Sequence, residues 1–205
     1  MYRPRAYTVD DAEALKGFVR QHPFATVACV LDGAVALAYA PCVIDGEKLG
    51  RVRFHLAIQN PLASVPDGTR VRFSFLGPQA YVSPDWYRTL VTVPTWNYQA
   101  VEGEGAVRRL DPEQLRALLV DLSAQEEEHL RPKPPWLIDK VPAERTAAML
   151  NAIVGFEVPL ETLQGKFKLS QDKKPEDMAG VIEGLQARGD AASVAVAREM
   201  RAIKE

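Results

Sequence analysis

Apolar and polar positions change period several times along this chain, and each change marks an element. Thr8-Val9-Asp10-Asp11 has the make-up of a helix start, and Leu15, Phe18 and Val19 follow at i, i+3, i+4 spacing. His22-Pro23 closes that helix, because a residue before proline is pushed out of the helical region. Residues 24–31 form an apolar run of strand length, Asp32-Gly33 suits a turn with positive φ, and residues 34–39 return. The pattern predicts a β-hairpin. Strict alternation predicts strands over 49–56 and 69–75, with Arg51, Arg53 and His55 on one face and Arg70, Arg72 and Ser74 on another. A long strand over 94–107 brings the set to about six, which argues for a closed or nearly closed barrel.

The second half turns helical. Asp111-Pro112-Glu113 combines an N-cap acid, a proline at the first helical position and negative charge at the positive end of the dipole. Leu115, Leu118, Leu119 and Leu122 give that helix one apolar stripe, and Glu126-Glu127-Glu128 reads as its solvated end. Residues 131–136, rich in proline, predict a stiff connector before a short helix over 144–152. Residues 153–160 read as a strand and 162–169 as its return. In the tail, Met178, Val181, Ile182 and Leu185 form one helical face and Val196, Met200 and Ile203 another, with Gly189-Asp190 as break and recap. The expected class is mainly β with peripheral helices (α+β): a barrel domain with inserted helices over 1–170 and a helical appendage over 171–205.

Composition narrows the function classes. At 205 residues, 47% hydrophobic and 25% charged, the chain has the profile of a globular protein. A net charge of -2 carries no basic signature for nucleic acid or an acidic membrane. Arg188, Arg198, Arg201 and Lys204 in the tail are offset by Glu183, Asp190, Glu199 and Glu205, and no helix-turn-helix is recognisable, so charge speaks against direct DNA binding. The two cysteines, Cys29 and Cys42, sit in apolar strands without metal-ligand spacing and read as reduced core thiols. No leader pattern opens the chain and no apolar run approaches the about 20 residues that span a bilayer, so no membrane contact and a cytoplasmic location are expected. Nucleophile elbow, P-loop, dinucleotide glycine fingerprint and HExxH are all missing, leaving no catalytic residue and no metal site to name.

Candidate chemistry concentrates between Gly77 and Ala100, where each half, opening at Gly77-Pro78 and at Val93-Pro94, is expected to join a proline-set turn to amphipathic aromatics. That stretch holds two of the three tryptophans, Trp86 and Trp96, and three of the six tyrosines, with Ser83, Thr95 and Asn97 beside them. Amphipathic aromatics with small hydrogen-bonding groups can wall a planar-ligand pocket, and they can equally fill barrel corners. Arg51, Arg53, Arg70 and Arg72 could serve a phosphate or stand solvated on outer faces. Lys166, Lys168 and Ser170 alternate onto one face, which suits either a ligand or a protected sheet edge.

Several motifs together carry a resemblance. Met1-Tyr2-Arg3-Pro4, His22-Pro23-Phe24-Ala25-Thr26, His55-Leu56-Ala57 with Asn60-Pro61, Ala80-Tyr81-Val82-Ser83-Pro84, Pro94-Thr95-Trp96-Asn97-Tyr98 and Lys166-Phe167-Lys168-Leu169-Ser170-Gln171 resemble the PaiB-type family of FMN-binding negative transcriptional regulators. The family is similar to the split β-barrels of flavin reductases and pyridoxine-phosphate oxidases, which form homodimers with flavin at the subunit interface. The resemblance implies FMN as cofactor, with Arg53, His55, Asn60 and Lys168 on the phosphate side. It implies Ser83, Trp86, Thr95, Trp96 and Asn97 on the ring side or in its support, with Gln171 beside them. Any redox chemistry would be the flavin's.

Two positions depart from the family pattern. Ile58 stands where the family carries an arginine, and Asp172 follows Ser170-Gln171 where the family has asparagine. The first removes a phosphate ligand and the second adds negative charge near one. Two alternatives therefore stay open: a barrel that takes haem or another planar ligand, with His55 and His22 as axial candidates, and a dimeric scaffold without its cofactor.

Overall fold

The computed structural model describes residues 1–89 and 91–203; Lys204 and Glu205 of the tail's charge balance lie outside the described residues. Its strands are β1 (Thr8–Val9), β2 (Phe24–Leu31), β3 (Ala34–Asp45), β4 (Arg51–Ala57), β5 (Arg70–Val82), β6 (Thr95–Ala106), β7 (Arg108–Arg109) and β8 (Ile153–Lys168). Its helices are α1 (Ala12–Gln21), α2 (Pro112–Glu128), α3 (Ala143–Leu150), α4 (Pro175–Arg188) and α5 (Ala191–Ala202). The sheet runs β1-β8-β4-β3-β2-β5-β6, and β6 pairs with β8 as well, so the strand path returns on itself. No helix among the described residues is long and apolar enough to cross a membrane.

The chain divides into two compact units, each with a core. The hairpin unit comprises residues 12–75 and 102–163; the helix-pair unit comprises 1–11, 76–101 and 164–205. Strands β5, β6 and β8 contribute residues to both.

In the hairpin unit, β2 and β3 meet at Asp32 (φ 51°) and Gly33 (φ 80°), the positive angles that this two-residue turn demands. Inward positions bury Val27, Phe54, Phe73, Phe75 and Phe156. Phe54 sits 5.4 Å, centroid to centroid, from both Phe73 and Phe156. Helix α1 buries Leu15, Phe18 and Val19, while the buried Lys16 escapes isolation by bonding Gly46 O at 3.1 Å and Glu13 at 2.6 Å. Helix α2 starts on a capping box: Asp111 accepts from the Gln114 N–H at 2.8 Å and Gln114 accepts from the Asp111 N–H at 3.0 Å. Both cysteines are free and buried.

In the helix-pair unit, α4 and α5 bury Met178, Val181, Leu185, Val196 and Met200 together with Ala80, Val82, Tyr87 and Leu169. Gly189 (φ 75°) ends α4, and Asp190 caps α5 through Ser193. The buried Asp177 of α4 accepts from the N–H groups of Arg88 and Thr89, both at 2.7 Å, and from the Thr89 hydroxyl at 2.8 Å. Those bonds hold its carboxyl below the usual range although burial opposes them.

Three sequence expectations are corrected. Thr8 and Val9 do not start a helix; they pair with Lys166 and Gly165, and the Thr8 hydroxyl turns back to Arg3 O and Pro4 O. Gly77-Pro78 does not turn the chain, since β5 runs through it. Residues 153–168 form one strand rather than a strand and its return. Nothing at Leu160-Glu161 accepts positive φ at low cost, so no tight hairpin forms there.

Trp86 lies against α4 where Gly180 and Gly184 replace two side chains of one helical face. A Cβ at Gly184 would stand 2.3 to 2.6 Å from three indole atoms, and one at Gly180 would stand 2.1 Å from Trp86 O. Gly184→Ala is therefore expected to destabilise by about 1–3 kcal/mol through overpacking, with a red shift of tryptophan emission as the indole is expelled. Thermal unfolding and emission spectra check this; an unchanged melting temperature and spectrum would show that the indole does not depend on that gap.

Candidate functional site

Seven of the ten residues singled out from the sequence, Ser83, Trp86, Thr95, Trp96, Asn97, Lys168 and Gln171, belong to the helix-pair unit; Arg53, His55 and Asn60 belong to the hairpin unit. Within the helix-pair unit a polar pocket of about 210 Å³ brings together Tyr7, Thr95, Asn97, Lys168, Ser170 and Lys173.

Strand geometry places its central cation. Thr95 opens β6 and Lys168 closes β8. The Lys168 ammonium donates to the Thr95 hydroxyl and to Trp96 O, the latter at 2.7 Å. Both acceptors are neutral, and Lys168 makes no salt bridge among the described residues. Burial pushes its pKa below the usual lysine range. A partly desolvated ammonium on neutral oxygens keeps its charge available to an incoming anion.

Beneath it lies a buried pair. Asn97 Nδ2 donates to Ser170 Oγ at 2.9 Å, and Ser170 Oγ lies 3.2 Å from Asn97 Oδ1. Asn97 is fully buried, and Ser170, 3% exposed, holds φ at 62°, a left-handed angle unusual for serine. Gln171 folds over the same turn, accepting from the Leu169 N–H at 2.7 Å and donating to Phe167 O.

The acid in the pocket is engaged. Asp172 bonds the Lys173 ammonium at 2.9 Å and the Tyr7 phenol. Burial would raise its carboxyl, but Lys173 and Tyr7 outweigh burial and hold it below the ordinary range. Burial, then Asp172, pushes Tyr7 up to about 12. The negative charge that Asp172 adds is thus matched by Lys173. Beside this pocket, half-exposed Trp96 meets Tyr81 edge-on at 6.2 Å, and the Lys166 ammonium lies 5.3 Å and 5.4 Å from the Tyr2 and Tyr98 ring centroids.

Other candidates have structural duties. Arg53 is nearly buried and donates to Asp45 at 2.9 Å and to Asp121 at 2.7 Å, so two carboxylates neutralise it. Arg70 and Arg72 share Glu104. Asn60 caps a short 3-10 turn by accepting from the Leu62 N–H, and Ser83 does the same for Asp85. Trp86 is seated on α4. His55 lines an apolar cavity of the hairpin unit, and the His22 ring packs 4.7 Å from Phe18. Ile58 is half exposed on the turn after β4. The ten candidates did not include Tyr7, Ser170, Asp172 or Lys173, although the sequence put Asp172 near a phosphate and Ser170 on the face of Lys168. The alternation of Lys166, Lys168 and Ser170 could have added Ser170, whereas Tyr7 had no local signal.

Comparison with known proteins decides the family. A family described as "Putative FMN-binding domain" matches residues 1–162. The chain belongs to that family. The match stops short of Lys168. A protein similar along most of the chain is the "Protease synthase and sporulation protein PAI 2" of Bacillus subtilis, 33% identical over 188 residues, covering 91% of this chain and 89% of that protein. This bears out the PaiB-type resemblance. Among solved structures, the FAD and heme binding protein from Mycobacterium smegmatis superposes with a TM-score of 0.60 at 16% identity, covering 84% of this chain and 79% of that one. The flavocytochrome Anf3 from Azotobacter vinelandii gives 0.58 at 18% identity, covering 82% and 72%. The fold is the split β-barrel that the family resemblance implies.

Removing the buried amide takes Asn97 from the Ser170 hydroxyl, which among the described residues keeps only its bond with Tyr87. Asn97→Ala is expected to destabilise by about 1–3 kcal/mol, lowering the melting temperature by roughly 2–4 °C per kcal/mol for a chain this size. Calorimetry checks this; a variant as stable as the parent would remove the pair from the architecture of the pocket.

Proposed function

We propose that this chain binds FMN in the helix-pair unit, with the phosphate held at Lys168 and Thr95 and the ring side near Trp96 and Tyr81. The observation that carries the reading is the Lys168 ammonium, whose hydrogen bonds among the described residues go to neutral oxygens, with the Asp172 carboxylate acting on it only through its charge. Lys173 extends the positive side, and Asp172 is occupied by Lys173 and Tyr7. A pocket of about 210 Å³ suits the phosphate end of a nucleotide rather than its whole. Membership of an FMN-binding family supports the same ligand. When bound, the flavin would supply any redox chemistry; the chain's residues bind and orient it. Arg53 takes no part in this proposal, because its charge is spent on Asp45 and Asp121.

The haem alternative has less support. A ligating histidine ordinarily donates its second ring N–H to an acceptor, whereas His55 Nδ1 is buried with no partner among the described residues. The regulatory role carried by the family label is proposed to act through the flavin-bound protein rather than through direct DNA contact. In the tail, Arg188 pairs with Asp190 at 2.8 Å and Arg198 with Glu199 at 3.2 Å.

A homodimer is part of the proposal. In the register of β2 and β3, Val30 faces Val35 and Ala28 faces Leu37, while Thr26 faces Tyr39. Val30, Val35, Leu37 and Tyr39 are 52 to 72% exposed, and Phe24 is 64% exposed. A two-stranded apolar face of this kind suits an isologous contact with a second copy. Leu37→Lys is expected to convert a dimer to a monomer in light scattering after size exclusion; a parent that is monomeric at all concentrations would remove the dimer from the reading.

The purified protein, mixed with FMN and freed of excess, is expected to retain absorbance near 370 and 450 nm. Lys168→Met should weaken FMN binding about tenfold or more, as loss of a charge-assisted bond does. Affinity should also fall as pH rises, and at a lower pH than an ordinary lysine would set, because the binding form is the ammonium and its pKa is depressed. Fluorescence titration of FMN against pH checks both. Binding unaffected by Lys168→Met would place the phosphate elsewhere.

A further inference from the structure

The hairpin unit contains a cavity of about 290 Å³ that the flavin reading does not use. Its lining includes His55 on β4, Ser123 on α2, Trp136, Met149 and Leu150 around α3, and Ile153 at the start of β8. Trp136 and Met149 in its wall are 37% and 58% exposed, so it is a cleft open to solvent rather than an internal void. It falls at the small end of the range of ligand sites.

One side chain in the wall is out of keeping with a purely structural role. His55 Nδ1 is buried and has no hydrogen-bond partner among the described residues. A leucine or phenylalanine would line the wall without that unpaired polar atom, so the imidazole enters the wall with hydrogen-bonding capacity unspent on the protein. No Lys, Arg, Asp or Glu is among the residues that line the cavity. Ser123 and Thr146 are the other polar side chains in the wall, both neutral.

We propose that this cavity is a second ligand site, which takes a small, uncharged, largely apolar ring compound whose one polar group hydrogen-bonds to the His55 imidazole. Ring shape follows from the wall of Trp136, Met149, Leu150 and Ile153, and neutrality follows from the missing counter-charge. Burial also depresses the His55 pKa, which keeps the imidazole uncharged at neutral pH. The site is independent of the flavin pocket, whose residues all lie in the other unit.

The four methionines make the test direct. Met149 lines the cavity, whereas Met178 and Met200 lie in the core of the helix-pair unit. In full-length protein carrying 13C-methyl methionine, 2-naphthol is expected to shift the Met149 resonance saturably and to leave Met178 and Met200 in place. Leu150→Trp, which fills the space, should abolish that shift with the Met178 and Met200 signals unmoved, which reports an intact fold. His55→Phe should weaken 2-naphthol about tenfold, the value of one hydrogen bond, and leave naphthalene unchanged. Naphthalene-2-sulfonate should not bind. A Met149 signal that stays put up to the solubility limit of 2-naphthol would overturn the proposal. So would a shift that survives Leu150→Trp, or sulfonate binding equal to that of naphthol.

Discussion

The buried hydrogen-bond pair of Asn97 and Ser170 is the constraint on which the polar pocket depends. It ties the start of β6 to the turn after β8, and so sets Thr95 beside Lys168. Ser170 accepts a left-handed backbone angle to make the bond, and Gln171 holds the same turn from outside by bonding Phe167 and Leu169. Strain of that kind persists only where surrounding contacts over-determine it. Here they do: Leu169 is buried in the same cluster as Met200, whose sulfur also accepts from Asn97 at 3.4 Å. One side of the pocket is therefore anchored on a core, while residues 92–94 before β6 line another.

Charge allocation then separates binding cations from structural ones. Arg53, Arg70 and Arg72 all have carboxylates within bonding distance, and an arginine bridging two acids has little field left for a phosphate. Lys168 hydrogen-bonds neutral oxygens and feels Asp172 only through its charge. A basic side chain is thus informative by what faces it, and that is a property of the fold.

This explains what could be read from the chain and what could not. The β2–β3 hairpin was legible because Asp32-Gly33 carries its own turn chemistry, and α2 because Asp111, Pro112 and Gln114 define its start locally. The passage of β5 through Gly77-Pro78 and the continuity of β8 were not, because pairing partners far along the chain decide them. Trp86 looked like a ligand wall from its neighbours in sequence; only α4, almost a hundred positions on, reveals the gap at Gly180 and Gly184 that holds it. At the candidate site, the aromatic stretch and Lys168 fall in the same unit. The partners of Arg53, and Tyr7 with its bond to Asp172, needed distances that no local pattern carries.

The two units differ in the chemistry they present. The polar pocket offers ammonium groups and hydroxyls, so its selectivity rests on charge and falls with screening by salt. The cavity at His55 offers apolar walls and a neutral imidazole, so its selectivity rests on desolvation and one hydrogen bond, which salt hardly touches. A charged ligand loses in the second site what it gains in the first, since burying an unpaired charge costs far more than apolar contact returns. Strands β5, β6 and β8 contribute residues to both units, and on the two proposals each unit would recognise its own class of ligand. Discrimination between the two proposed ligand classes would then follow from the side chains that line each space.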